Sequence, residues 1–411
     1  MRLEEKRWIY LVVGTVINII IGQTYAWSVF VKPLSEHFQW SPADATVAFA
    51  IFHSISCLPI IVAGKLQEFI QPKSILFFGG LIFGIGVLSV GYVKSLSGLY
   101  IAYGVMGGIG MGTIYSGVVP NIVKFFPDRR GLASGVLAAG IGSGALIWGP
   151  IGALLIEEYA VLPTFKILGS LSLIFLCALA VFIQTAPVGF SPAGWTPSKA
   201  QQQNLTVVDK NWLGMLSDPL YYMIAAGVVM GAISGLMIIA SASPILQSVG
   251  GYSAVAAGSW VGILSVCNSG GRAGWGWISD RIGRMMSLVI IYAILGCAML
   301  WLASTSWLVV VPLLLVGMCF GGFMGMLASI TADAFGTKYL AMNFGIMFLP
   351  FSIAAFIGPR LGASIKESTG SYSQAFLYGS ILGFIAIVLA IVAAWMMRRR
   401  KRRLLEATGV A

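Results

Sequence analysis

The sequence is dominated by long apolar stretches, each close to the 20 residues that an α-helix needs to cross a bilayer. Of the 411 residues, 58% are apolar and only 9% are charged, whereas a soluble globular chain has about 25% charged residues. This composition excludes a water-soluble enzyme, a disordered chain and a nucleic-acid-binding protein. We predict an all-α membrane protein with twelve spans, at about residues 8–31, 45–66, 74–94, 98–122, 131–156, 164–186, 219–246, 252–278, 286–304, 307–332, 340–365 and 373–397.

Basic residues set the expected orientation. The chain has 25 Lys and Arg against 14 Asp and Glu. With both termini in the cytoplasm, most of the basic residues fall on inner segments, as the positive-inside rule requires. We therefore expect a multi-pass protein of the cell membrane, with a basic cytoplasmic tail over residues 398–411. Separately, we expect a monomer. Because the cysteines lie inside apolar stretches with no CxxC pair, we expect them to be core residues and not metal ligands. We also expect no cofactor.

One long connection, at about residues 187–217, divides the chain into two halves of six spans. It is rich in Pro, Ser and Gln, and we predict a cytoplasmic central loop there. The flanking residues 1–186 and 218–397 are then an N-terminal and a C-terminal bundle. Gly149-Pro150 in the fifth span matches Gly358-Pro359 in the eleventh. Parallel six-span repeats are typical of transporters with a binding site near the bilayer midplane.

A polar segment is also repeated between the halves. Gly64 and Glu68, at the end of the second span, have the same spacing as Gly276 and Asp280, at the end of the eighth. The small residue allows a close approach of two helices, and the acid can pair with nearby basic groups. We predict a conformational lock formed by Gly64, Glu68, Gly276, Asp280, Arg281 and Arg284.

With these repeats, the chain resembles the major facilitator superfamily over nearly its whole length. The first copy of the loop segment departs from the family pattern, with Glu68 in place of the usual Asp. A narrower resemblance to the oxalate:formate antiporter family, which is grouped with the monocarboxylate porters, is visible in residues 126–135, 194–197 and 215–222. The resemblance implies the major facilitator fold, with twelve transmembrane helices in two pseudo-repeated six-helix bundles.

Arg272 is a charge inside the eighth span. It lies eight residues before Asp280, or about 12 Å along a helix. A charge at the centre of a span costs about 2.5–3.5 kcal/mol, and no acid lies deep in a span to pair with it. We predict that Arg272 binds an anion in a water-filled cavity, with Asn268 on the same helix face. The alternative is an arginine that reaches the interface or caps backbone carbonyls.

The number of fixed charges suggests the substrate class. In oxalate carriers of the resembling family, an arginine in helix eight is paired with a lysine in helix eleven, and the matching position here is near Phe351. One positive charge matches one carboxylate, whereas a dicarboxylate would leave a second charge buried without a partner, at a cost of several kcal/mol. We predict a small monocarboxylate such as lactate, pyruvate or a formate-like anion, with Phe351 as an apolar wall.

Three further residues complete the predicted sites. Tyr115 and Tyr25 are polar groups within spans that can bind substrate, or they are core residues. His53 is the histidine that lies inside a span, and since histidine titrates near neutrality it is a candidate proton carrier. The alternative for His53 is a neutral histidine hydrogen-bonded in helix packing.

We predict a secondary transporter that moves a small monocarboxylate, with a proton, across the bilayer. The alternative is an anion antiporter that exchanges one carboxylate for another, which Gly149-Pro150-Ile151-Gly152 favours by its partial match to an antiporter motif. A membrane-embedded enzyme would need an intramembrane constellation of His, Asp or Glu, and a sensor would need a soluble output domain. Neither is present in the sequence.

Overall fold

A computed structural model describes residues 3–187, 189–192, 195, 209–304 and 308–408. We number the long helices α1 to α12, in the order of the predicted spans. The uninterrupted helices are α2 (Pro42–Leu66), α3 (Pro72–Val90), α6 (Val161–Phe182), α7 (Pro219–Ser248), α8 (Ala254–Ile282), α9 (Arg284–Ser304), α10 (Val310–Phe335), α11 (Leu340–Thr369) and α12 (Ser373–Thr408).

The other three helices contain irregular turns. In α1, the α-helical pieces Leu3–Ile21 and Trp27–Phe38 are joined by the 3-10 turn Gly22–Ala26. In α4, Leu96–Leu99 continues through the π-helical segment Tyr100–Gly107 into Gly108–Lys124. In α5, Arg130–Gly142 is followed by Gly144–Tyr159, and a short helix, Trp212–Leu216, precedes α7.

Ten helices of the described chain are long and apolar enough to cross a bilayer. The two predicted spans outside this set are helical as well, and correspond to α4 and α8. The π-helical segment divides α4, and α8 carries Arg272, Asp280 and Arg281. The helices therefore follow the predicted spans in order. Most ends differ from the prediction by a few residues, but α1 continues to Phe38 instead of residue 31 and α12 to Thr408 instead of residue 397.

The chain forms two compact units. The first comprises Met1–Pro127, Gly140–Ala193 and Tyr339–Ile346, and the second comprises Asp128–Ala139, Gly194–Lys338 and Met347–Ala411. Each unit is thus built mainly from one half of the chain and includes a short segment of the other half. About half of the predicted central loop lies outside the described residues, and so does the motif at 194–197 except for Trp195. The described end of the loop contains the short helix Trp212–Leu216.

Helix starts follow from local capping groups. The Asp218 side chain accepts a hydrogen bond from the Leu220 backbone N–H, and Pro219 occupies the first position of α7, where its missing N–H is not needed. The Ser253 hydroxyl similarly accepts from the Ala256 backbone N–H at the start of α8. These caps fix where α7 and α8 begin, and with that the position of the polar residues along α8.

Glycines bring α8 and α10 into backbone contact. A Cβ atom added to Gly271 would overlap the Met318 carbonyl oxygen, and one added to Gly321 would overlap the Asn268 carbonyl oxygen. Small residues permit such an approach between membrane helices. Because Asn268 is itself part of this contact, the glycines determine where the polar residues of α8 lie.

We expect Gly271→Ala to destabilise the protein by about 1–3 kcal/mol, as overpacking does. Gly270→Ala is the matched control, since a Cβ atom there has no neighbour within 4 Å. It should stay within about 1 kcal/mol of wild type. Thermal unfolding of both variants in the same detergent tests the contact, and equal stability of the two variants would contradict it.

Candidate functional site

Arg272 is buried in the second unit, with 8% of its surface exposed. Its Nε donates a hydrogen bond to Asn268 Oδ1 at 3.1 Å, and its Nη1 donates to the Ala138 carbonyl at 3.1 Å. Asn268 Nδ2 in turn donates to the Gly317 carbonyl at 3.2 Å. Within the described residues, no Asp or Glu forms an ion pair with this guanidinium. Its charge is therefore met only by neutral acceptors.

The structure brings Arg272 and Asn268 together as predicted from their four-residue spacing. Both polar atoms of the Asn268 side chain have protein partners, so in this geometry Asn268 orients the guanidinium. Capping of a backbone carbonyl, the alternative for Arg272, occurs at Nη1. Nη2 has no hydrogen-bond partner in the described chain, and its two N–H groups can bind an anionic oxygen.

Ser269 is a polar residue that the sequence reasoning missed. Its Oγ is buried without a hydrogen-bond partner within the described part of the chain. It lies three residues before Arg272, on the neighbouring turn of α8. An unsatisfied buried hydroxyl is costly, so a ligand oxygen would relieve it. Only its polarity inside an apolar span signals this residue in the sequence.

Phe351 lies on α11 among other phenylalanines of the second unit. Its ring centroid is 5.2 Å from that of Phe348 and 6.4 Å from that of Phe320 on α10. Phe320 follows Cys319 and precedes Gly321, the glycine in contact with Asn268. This part of α10 thus connects the phenylalanine cluster to the polar residues of α8.

His53 and Tyr25 lie together in the first unit. Their ring centroids are 5.6 Å apart, and His53 also contacts Phe49 and Phe52 at 4.2 and 5.3 Å. His53 Nδ1 is 3.2 Å from the Phe49 carbonyl, whereas Nε2 is buried without a hydrogen-bond partner in the described chain. If Nδ1–H donates to that carbonyl, Nε2 is the basic nitrogen. Both alternatives for His53 thus have support: it is packed in the helix interface, and it keeps one nitrogen able to accept a proton.

Tyr115 occupies a separate place in the first unit. It is buried on α4, and its ring centroid is 5.7 Å from that of Phe344 at the start of α11. Among the described residues, its ring contacts neither Tyr25 nor His53. The predicted aromatic ligands are therefore not one cluster.

Asp280 contacts the start of α5. Its carboxylate accepts hydrogen bonds from the backbone N–H groups of Gly131 at 2.9 Å and Leu132 at 2.8 Å. It also accepts from Arg284 Nη2 at 2.5 Å. A carboxylate is stabilised at a helix N-terminus, because the first backbone N–H groups have no partner within the helix and the helix dipole is positive there. The predicted acid of the second loop segment therefore joins α8 to α5 and α9.

Asp333 extends this contact into a network. It is 4% exposed. Its Oδ2 accepts from Arg284 Nε at 3.1 Å and its Oδ1 from Arg130 Nη1 at 2.8 Å. We call Arg130, Asp280, Arg284 and Asp333 the Asp333 network. Arg130 and Asp333 were not predicted as members, although both are charges next to span ends.

Arg281 lies outside these ion pairs. Its guanidinium stacks on the Trp277 ring, 3.7 Å from the centroid. Within the described residues no carboxylate pairs with it. Of the two basic residues predicted in this segment, only Arg284 therefore contacts Asp280.

The two copies of the loop segment differ at the acid and agree at the glycine. Glu68 pairs with Lys65 three residues earlier, at 2.5 Å, and so does not repeat the contacts of Asp280. A Cβ atom on Gly64 would meet the Ala341 carbonyl at 2.6 Å, and one on Gly276 would overlap the Gly131 carbonyl. Each glycine therefore permits a close helix crossing in its own unit.

Known proteins are similar to the chain along its length. The Major Facilitator Superfamily profile matches residues 11–359 and 275–410. The oxalate:formate antiporter of Oxalobacter formigenes is 28% identical, over 98% of this chain and 94% of that protein. Human monocarboxylate transporter 12 is 24% identical, over 92% and 78%. The crystal structure of the transporter FucP in the outward conformation has a TM-score of 0.69 at 14% identity, covering 93% of this chain and 98% of that one.

Proposed function

Because the chain belongs to the Major Facilitator Superfamily, we propose that it is a secondary active transporter of small monocarboxylates, coupled to protons and working by alternating access. The family confirms the predicted resemblance and the all-α fold of a multi-pass membrane protein. Membership of this family also confirms the prediction that the protein is a transporter and not an enzyme. The proposal goes beyond family membership in two respects: the substrate is a small monocarboxylate such as lactate or pyruvate, and its transport is coupled to protons.

Arg272 is the observation that carries this proposal. An arginine binds a carboxylate by charge-assisted hydrogen bonds, and Nη2 keeps two N–H groups for that purpose. Ser269 and Asn268 lie on the adjacent turn of α8, the first as a further donor and the second as the residue that orients the guanidinium. An intramembrane cation that has no acidic partner among the described residues is typical of an ion or substrate pathway.

The apolar surroundings favour one carboxylate over two. Phe351 and its neighbours Phe348 and Phe320 form an apolar surface in the same unit. A dicarboxylate would leave a second charge without a cationic partner there, at a cost of several kcal/mol. The names of the relatives agree with a carboxylate substrate, since one is an oxalate:formate antiporter and another a monocarboxylate transporter.

Exchange of two carboxylates is the second candidate. The similarity to the oxalate:formate antiporter of Oxalobacter formigenes favours it, and so does the partial antiporter motif at residues 149–152. In an exchanger, Arg272 binds each anion in turn, and no proton carrier is needed. His53 is then a packing residue.

The proposal also includes the orientation of the protein in the membrane. Inner segments hold most of the basic residues when both termini are cytoplasmic. We place the protein in the cell membrane in this orientation, as a monomer, with the lipid bilayer as its surroundings.

Uptake of labelled lactate into proteoliposomes distinguishes proton symport from carboxylate exchange. A proton gradient with empty vesicles should drive accumulation if the protein is a symporter. Uptake that ignores the gradient and needs formate or lactate trapped inside would identify an exchanger. If neither condition produces uptake of lactate, pyruvate or formate, the monocarboxylate proposal is wrong.

We expect His53→Gln to abolish the stimulation by a proton gradient, because glutamine keeps the polarity of the side chain and cannot take up the proton. Exchange of internal for external lactate should stay close to the wild-type rate. His37→Gln is the matched control, since His37 lies against Phe38 at the C-terminal end of α1. Full gradient-driven accumulation in His53→Gln would place the proton on another group.

A further inference from the structure

The last helix extends far beyond the length of a membrane span. α12 has 36 residues, or about 54 Å at 1.5 Å per residue, against about 30 Å for the hydrocarbon core. Its apolar part ends at Met397, and Arg398 begins a basic run. The helix therefore carries its arginines through the level of the lipid headgroups.

One face of this extension combines an aromatic ring with two arginines. Trp395, Arg399 and Arg403 are spaced four residues apart and share a helix face. The Arg399 guanidinium lies 5.1 Å from the centroid of the Trp395 ring. Together with Met396 and Arg400, these residues line a cavity of about 330 Å³ that is open at the surface and formed by α12 alone. The cavity thus has an aromatic end and a cationic end.

Asp218 fixes the rotation of this part of α12. Its carboxylate lies 3.1 Å from Arg400 Nη1 and 2.7 Å from Lys210 Nζ, and it also caps α7. Arg400 is therefore turned towards α7. Arg399 and Arg403 are exposed, and no carboxylate of the described residues pairs with either. Their charge is available to a ligand.

An exposed apolar strip leads to the cavity. Val388, Ile391, Val392 and Trp395 are all more than a third exposed on α12. In a bilayer, this strip contacts acyl chains, and tryptophan is typical of the membrane–water interface. A ligand with both a phosphate and acyl chains fits the whole surface, whereas a free phosphate would use only the cationic end.

We propose that this cavity binds the headgroup of an anionic phospholipid. The phosphate lies between Arg399 and Arg403, whose planar guanidinium groups bind phosphate oxygens by paired hydrogen bonds. The glycerol backbone packs at the Trp395 end, and the acyl chains follow the exposed strip. Asp218 is a positioning residue that holds Arg400 and with it the rotation of the helix.

Binding of a short-chain lipid to the purified full-length protein tests the proposal. Dioctanoyl phosphatidylglycerol is titrated in a neutral detergent, with dioctanoyl phosphatidylcholine and inorganic phosphate as comparison probes. Arg399→Gln with Arg403→Gln should raise the Kd for phosphatidylglycerol about 30-fold, and each single variant about 5-fold. The matched control, Arg398→Gln with Arg402→Gln, removes the same charge from outside the cavity lining and should change the Kd far less.

Three results would overturn the proposal. Equal weakening in both double variants would mean a general charge effect. Equal affinity for phosphatidylcholine would mean that the anionic headgroup is not recognised. Displacement of the lipid by inorganic phosphate at the same concentration would mean a free-phosphate site. All of these are binding measurements, so they are independent of which carboxylate the protein transports.

Discussion

Arg272→Ala is expected to reduce the uptake of carboxylate in proteoliposomes by about 100-fold or more. The proposed charge pair joins the Arg272 guanidinium to the substrate carboxylate, and removal of one partner of a buried charge pair usually has an effect of this size. The variant loses the Nη2 donors and also the hydrogen bonds to Asn268 and Ala138. Arg272→Lys keeps the charge without the planar fork, so it should retain part of the activity with a raised KM. Initial rates of labelled lactate uptake over a range of concentrations separate these effects.

Arg360→Gln is the control for the loss of a positive charge. Arg360 lies on α11, and its guanidinium stacks on the exposed Phe356 ring, 3.5 Å from the centroid. The substitution changes the net charge as Arg272→Ala does, and we expect transport close to wild type. Wild-type transport by Arg272→Ala would show that this arginine is structural, in agreement with its cap on the Ala138 carbonyl.

Asp333→Ala is expected to lower the free energy of unfolding by about 3–5 kcal/mol, as the removal of one partner from a buried ion pair does. The substitution leaves Arg130 without its carboxylate and Arg284 with only Asp280. These guanidinium groups are shielded from water, so they cannot recover their hydration. Thermal unfolding of the purified protein in detergent measures the loss.

Glu36→Gln is the control for an ion pair at the surface. The Lys32–Glu36 pair is long, at 3.7 Å, and its side chains are 84% and 67% exposed. Such pairs contribute about 0–1 kcal/mol. Arg281→Ala should also have a small effect, because Arg281 stacks on Trp277 and has no carboxylate partner in the described chain. A melting temperature of Asp333→Ala equal to that of Glu36→Gln would contradict the role of the Asp333 network.

The two loop segments show where reasoning from residue types was sufficient and where it was not. Gly64 and Gly276 both lie at close helix crossings, as their repeated spacing predicts. Glu68 and Asp280 occupy matching positions, yet Glu68 pairs with its neighbour Lys65 whereas Asp280 reaches the backbone of α5. Equivalent spacing therefore predicts equivalent backbone positions but not equivalent side-chain partners.

Among the site residues, too, residue spacing predicted some positions and missed others. Arg272 and Asn268 share a helix face because the helical period alone places residues four apart together. Ser269 was missed, because its significance lies in the absence of a partner in the described structure. Arg130 and Asp333 were missed because they are distant in sequence and meet only when α5 and α10 are packed.

The amino-acid sequence by itself determined the helices, their order and the place of Arg272 inside a span, because apolar length, helical period and the cost of an intramembrane charge are local properties of a chain in a bilayer. Only the tertiary structure decided which acid meets which base and which polar atoms are left without a partner. Hydrogen bonds and ion pairs depend on distances of a few tenths of an ångström and on donor angles. Those are set by helix packing, through contacts such as that of Gly271 with Met318, and residue spacing does not encode them.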